Sequence, residues 1–396
     1  MIRWTWLAGV ATLCAFGMGV VSADSWVPPQ TRSYLSPDKA WRLTVFPREI
    51  TSPLAYFEDK VADRPKAGGV PGSKQVTASA LMEHLHGGRW QAVWKKPLVN
   101  EVSPVDALAS NAGQAVTFDN WHSMGYGKDV IAIYDAAGSL VRALALEDFL
   151  PKEYIRPLPQ SVSSMYWRGE PRISEDGRQL IVPIVIPDAD QEGFPDEEKT
   201  AYVDARFDLA SGHPLTDDSP AWSEALASAR NADQKLKEEQ AAERQRFISP
   251  LAAPTTGKSP DWYSYLVDAF FRIDPEWDDG YPSTHVIPLP TDEKFDLLSG
   301  YVGVALTDDI NEDGAIMFAS PSQDVLVDVL MAQAKRAKAG SLPSARIYVA
   351  ADDKHVDAAR KALAHTGAKF IQIDIDQEIP QQKERLDRYL KRLDEN

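Results

Sequence analysis

Short apolar runs separated by turn residues predict a β-rich domain over residues 24–218. The runs are five to eight residues long, and Gly, Pro, Asn and Asp lie between them. This spacing is typical of strands joined by tight turns, whereas a helical repeat is expected only once in the region. The clearest of the predicted strands are 42–46, 129–135 and 179–186.

The one helix expected inside this domain is Thr77–His86. Thr77 can cap its start, and the two glycines that follow can end it. His84 and His86 would then be two residues apart on a helix and would not share a face, so the pair is poorly suited to zinc. Interaction of these histidines with the C-terminal end of the helix is the simpler interpretation.

A weak repeat runs through the β-rich domain. Each copy is a tight turn that begins with Ser and leads into a strand, at 36–39, 110–113 and 174–177. The copies resemble the Ser-Pro-Asp-Gly repeats of the Tol-system type of β-propeller, and their spacing is near that of one blade. Three copies are too few to close a ring, so the resemblance implies a propeller-like partial stack, with a β-sandwich as the alternative.

Residues 219–260 are expected to form a long connecting helix followed by a linker. Ser219 caps the helix, Pro220 suits its first turn, and the chain continues without Gly or Pro to about Ile248. The apolar positions form only a thin stripe, which predicts a mostly solvated helix. The stretch 249–260 is rich in Pro, Thr and Gly and predicts a domain boundary.

Residues 261–396 are predicted to form a small α/β sandwich in the order ββαβαβα, which makes the whole chain a multidomain α+β protein. A β-hairpin is expected first, over 300–306 and 315–319. Helices and strands then alternate to the end of the chain. The helices are expected over 321–338, over 353–366 and from about Pro380, and the strands over 346–350 and 369–374.

The stretch 345–376 resembles the periplasmic domain of the biopolymer-transport proteins in the Ton and Tol energising systems. In that family a strand ending in Ala-Asp, here Ala351-Asp352, leads into a helix, a glycine, here Gly367, and a last strand. The chain lacks the family's membrane helix and the carboxylate on it. The resemblance therefore implies a domain that docks envelope proteins or the cell wall, without proton-coupled energising.

The first residues predict export. Met1–Ala23 has a basic start, an apolar run and a small-residue cleavage site, as a secretory signal peptide does, and a membrane anchor is the alternative. Cys14 is the only cysteine, so the mature chain would have no disulfide, thiolate nucleophile or Cys-ligated zinc. We expect a soluble mature protein without a membrane anchor, in the periplasm or outside the cell.

Charge excludes one class of partner. The chain of 396 residues has 58 Asp and Glu against 42 Lys and Arg, which gives a net charge of −16. Such a chain would repel a phosphate backbone and has no basic footprint, so nucleic acid is not an expected partner.

The most unusual run, FDNWHSMGYG, covers residues 118–127. Trp121 and Tyr126 could stack on a ligand while Asp119, Asn120 and His122 orient it. The run resembles a segment of secreted bacterial proteins that carries no known activity. In the alternative interpretation Trp121 fills the β core, and Asp119 and Asn120 satisfy a turn.

Residues 309–314 match the first half of a calcium loop. Asp309, Asn311 and Asp313 would supply oxygens at positions 1, 3 and 5, and Gly314 stands at position 6. Position 12 is Ser320 rather than Glu, so an acidic hairpin turn is the main interpretation and weak calcium binding the alternative. The sequence has no glycine-rich phosphate loop and no H-E-x-x-H motif, and no cofactor is expected.

These observations predict an exported binding or accessory protein of the cell envelope, without enzymatic activity, that docks a protein or a cell-wall ligand. The alternative is an envelope hydrolase that uses Asp119 and His122 as acid and base on a glycan or an ester.

Overall fold

The computed structural model describes residues 28–190, 193, 199–278, 280–308 and 314–395. It has a mixed α+β architecture, as the sequence predicts, and divides into two compact units between residues 239 and 240. The predicted signal peptide and the calcium candidates Asp309, Asn311 and Asp313 lie outside the described residues. Within the described ranges, no helix is long and apolar enough to span a membrane.

Three antiparallel β-meanders build the first unit. In each sheet the strands lie side by side in chain order, as β1-β2-β3-β4, β5-β6-β7-β8 and β9-β10-β11. Two helices, α1 (Pro53–Val61) and α2 (Lys152–Ile155), lie in the connections. The strands are β1 (Arg32–Leu35), β2 (Trp41–Phe46), β3 (Ser79–His86), β4 (Arg89–Pro97), β5 (Asp106–Ala109), β6 (Ala115–Phe118), β7 (Ile131–Tyr134), β8 (Leu140–Leu144), β9 (Arg172–Ile173), β10 (Gln179–Val185) and β11 (Tyr202–Asp208).

Each of the three predicted serine turns joins the first and second strands of one sheet. Ser36, Ser110 and Ser174 each donate a backbone N–H to a carbonyl at the start of the second strand, over 2.9 Å. Each serine Oγ also accepts a hydrogen bond from the backbone N–H of that same residue, at 2.9 to 3.0 Å. The serine therefore closes the turn twice, which explains why this residue recurs. The partner residues are Trp41, Gln114 and Gln179.

The helix predicted over Thr77–His86 is wrong, because Ser79–His86 forms strand β3. Ala80 and Met82 are buried and alternate with less buried neighbours, and β3 pairs with both β2 and β4. Pairing on two sides outweighs the helix propensity of Ala, Leu, Met and Glu. His84 and His86 lie on the same face of this strand, with ring centroids 6.2 Å apart. The two glycines that follow form the hairpin turn into β4.

Two glycine turns of the second sheet pack directly on tryptophans of the first. A Cβ on Gly113 would lie 2.6 Å from the ring of Trp41, and a Cβ on Gly138 would lie 2.6 Å from the ring of Trp94. Both glycines also have a positive φ, which L side chains rarely adopt. The two sheets therefore approach more closely at these turns than any residue with a side chain would allow.

The predicted long helix is present as α3 (Pro220–Ile248). Ser219 caps it, because the Ser219 Oγ accepts a hydrogen bond from the Trp222 backbone N–H at 3.3 Å. Ala225 and Ala229 are buried in the apolar core of the first unit, whereas most positions after Asp233 are exposed. The helix is therefore mostly solvated, as expected. The division between the two units falls within it.

The second unit has one parallel sheet in the order β12-β13-β14-β15. The stretch 249–260 packs within this unit, where Leu251 exchanges two backbone hydrogen bonds with Ile379, at 2.8 and 2.9 Å. The elements are α4 (Ser259–Ile273), β12 (Ser283–Val286), α5 (Phe295–Ala305), β13 (Ala315–Ala319), α6 (Gln323–Gln333), β14 (Arg346–Ala350), α7 (Val356–Leu363), β15 (Lys369–Ile373) and α8 (Lys383–Glu395).

The hairpin predicted over 300–306 and 315–319 is wrong, because 295–305 is helix α5. The partner of β13 is β12, which runs parallel to it. Two parallel strands cannot be joined by a tight turn, so the apolar segment between them crosses over as a helix. The predicted strands at β13, β14 and β15 and the helices α6, α7 and α8 are confirmed, and Ser322 caps α6.

His285 on β12 should make the second unit sensitive to acid. Burial lowers the pKa of His285 from 6.5 to about 4. Because the pKa in the folded state lies below that of the unfolded chain, neutral His285 contributes stability above pH 6.5, and this contribution is lost as the pH falls towards 4. In His285→Gln, the loss of unfolding free energy between pH 7 and pH 4 should shrink by about 3 kcal/mol.

Urea titrations at the two pH values measure this difference, and His365→Gln, at an exposed position of the same unit, is the control. An equal acid sensitivity in wild type and His285→Gln would contradict the assignment.

Candidate binding face

The two ends of the three sheets differ in their connections. At one end the strands are joined by tight turns, among them 36–40, 110–114, 135–139 and 174–178. All the long connections of the first two sheets lie at the opposite end, together with the segments that lead to the next sheet. We call this opposite end the long-loop end and define it by residues 47–78, 98–105, 119–130 and 145–171.

Asp119 holds the centre of the long-loop end. Its side chain is 0% exposed, and its backbone has a φ of +57°. Its Oδ1 accepts hydrogen bonds from the Gly125 backbone N–H and from the Trp167 Nε1–H, both at 2.8 Å. Its Oδ2 accepts from Arg168 Nε at 3.2 Å. Burial raises the pKa of Asp119, and the guanidinium of Arg168 and the N–H donors of Gly125 and Trp167 oppose this shift.

Arg168 extends this cluster to the second sheet. Its guanidinium carbon lies 4.7 Å from the centre of the Phe118 ring, and its Nη1 lies 3.8 Å from the carboxylate of Asp106. The Asp119 cluster therefore ties the end of β6 and the start of β5 to the connection 145–171. Because both carboxylate oxygens of Asp119 already accept from buried protein donors, the geometry gives no support to Asp119 as an acid or base on a substrate.

Trp121 belongs to a second cluster, which anchors helix α1. It is 5% exposed, and its ring lies 5.2 Å from that of Tyr56 and 6.0 Å from that of Phe57. Its backbone N–H donates to the Ser103 carbonyl at 2.8 Å. The ring of His122 lies 3.8 Å from Phe57, and His122 has a φ of +66°. The run 118–127 thus holds α1 by aromatic packing.

Asn120 and Tyr126 connect the run 118–127 to two other segments of the long-loop end, 98–105 and 145–171. The Asn120 Oδ1 accepts from Asn100 Nδ2 at 3.2 Å and from the Glu101 backbone N–H at 3.3 Å. The Tyr126 hydroxyl donates to the Ser161 carbonyl at 2.9 Å. The run 118–127, which the sequence singles out as a candidate ligand loop, therefore lies where the connections of the long-loop end meet. Binding of a ligand by these five residues stays a prediction.

A cleft that the sequence analysis missed lies at the same end of the first sheet. It has a volume of about 1200 Å³, and residues from 28–31, the end of β2, the segment before β3 and the end of β4 line it. Three lysines contribute to its wall, Lys74, Lys95 and Lys96, against one acidic side chain, Glu49. The adjacent lysines at the end of β4 are the sequence signal, since a cationic pair stands out in an acidic chain.

The most exposed large apolar side chains of the first unit also lie at the long-loop end. Among the described residues they are Val162 at 93%, Val61 at 91%, Leu54 at 67% and Val76 at 52% exposed. Each belongs to the connection 47–78 or to the connection 145–171.

A titratable cluster in the second unit was also missed. His355, which precedes α7, lies between two carboxylates, with Nδ1 2.6 Å from Asp352 and Nε2 3.0 Å from Asp324. Hydrogen bonds with Asp352 and Asp324 raise the pKa of His355. In the described part of the chain, no group of His, Cys, Asp and Glu side chains is placed to hold a metal ion.

Comparisons with known proteins give no family. No family model matches the sequence, and no curated protein matches it. Among solved structures, a europium-containing methanol dehydrogenase aligns with 10% identity over 35% of this chain, at a TM-score of 0.20. The alignment covers 21% of that protein, so this chain spans about a fifth of its length. A likeness at this TM-score carries no argument about fold or function.

Proposed function

We propose that this chain is an exported binding or accessory protein of the cell envelope that docks a protein or a cell-wall ligand through its long-loop end. One observation carries the proposal. The four most exposed large apolar side chains described in the first unit and the cleft of about 1200 Å³ lie at the same end of the sheets as the long connections.

This arrangement has a physical interpretation. Apolar side chains that group on one end of a scaffold favour a contact that removes them from water. Long connections can vary in shape and chemistry on a rigid sheet, whereas the two- to five-residue turns at the other end offer little surface to a partner. The Asp119 and Trp121 clusters hold the connections in place, as a preorganised binding face requires.

We also propose that the three meanders form a propeller-like partial stack. The shared strand order, the serine turn at the same place in each sheet and the contacts of Gly113 and Gly138 with the tryptophans of the first sheet support this arrangement. In such a stack the corresponding connections of successive sheets lie side by side.

The double substitution Leu54→Asp with Val162→Asp should abolish docking, because it places two charges where a partner would bury apolar surface. The mature protein, crosslinked in its own envelope, should lose its specific crosslinked species at least about tenfold in this variant. If this species is recovered on purified cell wall, the partner is a cell-wall ligand. If it is recovered as a protein adduct of defined mass, the partner is a protein.

Leu35→Asp is the matched control, since Leu35 is a leucine that is 50% exposed and lies beside the tight turn 36–40 at the opposite end of the first sheet. All three proteins are first shown to unfold at the same urea concentration. Equal loss in Leu35→Asp, or no loss in the double variant, would contradict a binding face at the long-loop end.

A further inference from the structure

We propose that the cleft at the long-loop end of the first sheet binds an extended acidic peptide segment of a partner protein. The inference rests on the proposed function for the place of binding, and it adds the chemical class of the ligand.

The first argument is uncompensated charge. Lys74 and Lys95 are exposed and Lys96 is half-buried, and among the described residues none of the three forms a salt bridge with a carboxylate. Lys96 instead donates to the Ser139 hydroxyl at 3.4 Å. Lys60 of the same unit, by contrast, has a carboxylate oxygen of Glu101 at 2.7 Å. In the described part of the chain, three lysines without a carboxylate partner thus line one cleft of a protein whose net charge is −16.

The second argument concerns Arg48, the remaining cation of the cleft, whose guanidinium already has partners within the protein. Arg48 is buried, donates to the Ala67 carbonyl at 2.8 Å, and lies 3.5 Å from the Glu101 carboxylate. Its role is to hold the connection 47–78. Glu49 is the single carboxylate of the wall, so the cleft carries a positive charge that favours an anionic ligand.

The third argument is the apolar part of the wall. The Lys95 ammonium lies 4.9 Å from the centre of the Phe46 ring, so a cation and an aromatic face stand side by side. Ile50, Val70 and Val76 add aliphatic surface. A peptide in which acidic and apolar residues alternate matches both features, whereas a phosphate polymer would leave the apolar wall uncovered.

The size of the cleft also favours a chain segment. Its volume of about 1200 Å³ is larger than the 300–1,000 Å³ typical of small-molecule pockets. An extended peptide lies across such a cleft, with alternate side chains directed to the wall.

The experiment uses fluorescence anisotropy of a fluorescein-labelled octapeptide of alternating Glu and Leu with the purified mature protein. We expect saturable binding that weakens as salt is raised, because exposed charges are screened. Reversing two charges, in Lys74→Glu with Lys95→Glu, should weaken binding at least about tenfold. The neutral pair Lys74→Gln with Lys95→Gln should weaken it less, and the melting temperature of each variant shows that it is folded.

Lys152→Glu is the matched control. Lys152 is an exposed lysine at the same end of the sheets but outside the cleft. Its reversal lowers the net charge by two, as each single reversal in the cleft does, and should leave the affinity within about twofold. Alternating Lys-Leu and Glu-Ser octapeptides test the charge and the apolar wall separately, and both should bind at least about tenfold more weakly.

Three results would overturn the proposal: no binding of the Glu-Leu peptide, equal loss in Lys152→Glu, or tighter binding of polyphosphate that the two lysine reversals abolish. Failure of the peptide while Leu54→Asp with Val162→Asp still removes the crosslinked species would reject the ligand class and leave the binding face standing. Failure of both experiments would reject the proposed function itself.

Discussion

Asp119→Ala should lower the free energy of unfolding by about 3–5 kcal/mol, because it breaks a buried ion pair and its hydrogen bonds. The change leaves the indole N–H of Trp167, the backbone N–H of Gly125 and the guanidinium of Arg168 without their shared acceptor. Each of these groups is buried or nearly so, and an unsatisfied buried donor costs far more than a lost exposed contact. Urea titration followed by tryptophan fluorescence measures the loss.

Asp204→Ala provides the control for this prediction. Asp204 forms a salt bridge of 2.6 Å with Arg172, and the Arg172 side chain is 52% exposed and that of Asp204 32%, so its loss should cost at most about 1 kcal/mol. Combining Arg168→Met with Asp119→Ala should recover part of the stability, since it removes the uncompensated charge. A cost for Asp119→Ala no larger than that for Asp204→Ala would show that the cluster does not hold the long-loop end.

The sequence predicted those parts of the fold that local chemistry determines. Ser36, Ser110 and Ser174 close their turns with their own side chains, so the turn forms in the same way whatever lies around it. The caps of α3 and the glycine that ends the last crossover helix, Gly367, are equally local. The structural role of such residues depends only on contacts with residues nearby in the sequence.

The two wrong elements were decided by distant contacts. Ser79–His86 is rich in helix formers but lies between β2 and β4, where pairing on both sides and burial of alternate residues favour a strand. Residues 300–306 are rich in strand formers but belong to α5, because the short polar strand β12 precedes β13 in the sheet. Neither β12 nor the pairing of β3 has a strong signal within its own residues.

The candidate site also has one part that local sequence predicts and one part that depends on distant contacts. The unusual composition of 118–127 identified the junction of the long connections, and the alternative in which Trp121 fills a core and Asp119 and Asn120 satisfy a turn describes their contacts in the structure. The lysine cleft could not be identified in this way. Lys74 is separated from Lys95 by strand β3 and its turn, and only the pairing of β3 with β4 brings the two segments together.

Trp121→Ala should lower the free energy of unfolding by about 3–5 kcal/mol, because it leaves a cavity between the run 118–127 and helix α1. Trp121 is almost fully buried against Tyr56 and Phe57, and no other large side chain can fill the space without moving the helix. Trp121→Phe keeps the stacking on Phe57 and should cost less than half as much. Trp90→Ala, which removes a half-buried tryptophan on β4 at the other end of the sheet, should cost about 1 kcal/mol and is the control.

The same variants separate folding from binding. At a low temperature, where Trp121→Ala remains folded, its affinity for the Glu-Leu octapeptide should lie within about threefold of wild type, since Trp121 does not line the cleft. A Trp121→Ala protein with unchanged stability and lost affinity would instead place the ligand on the run 118–127, as the binding-loop interpretation predicts. A protein that loses stability and keeps its affinity would show that this run supports the binding face from behind, with the ligand contacting the lysine cleft.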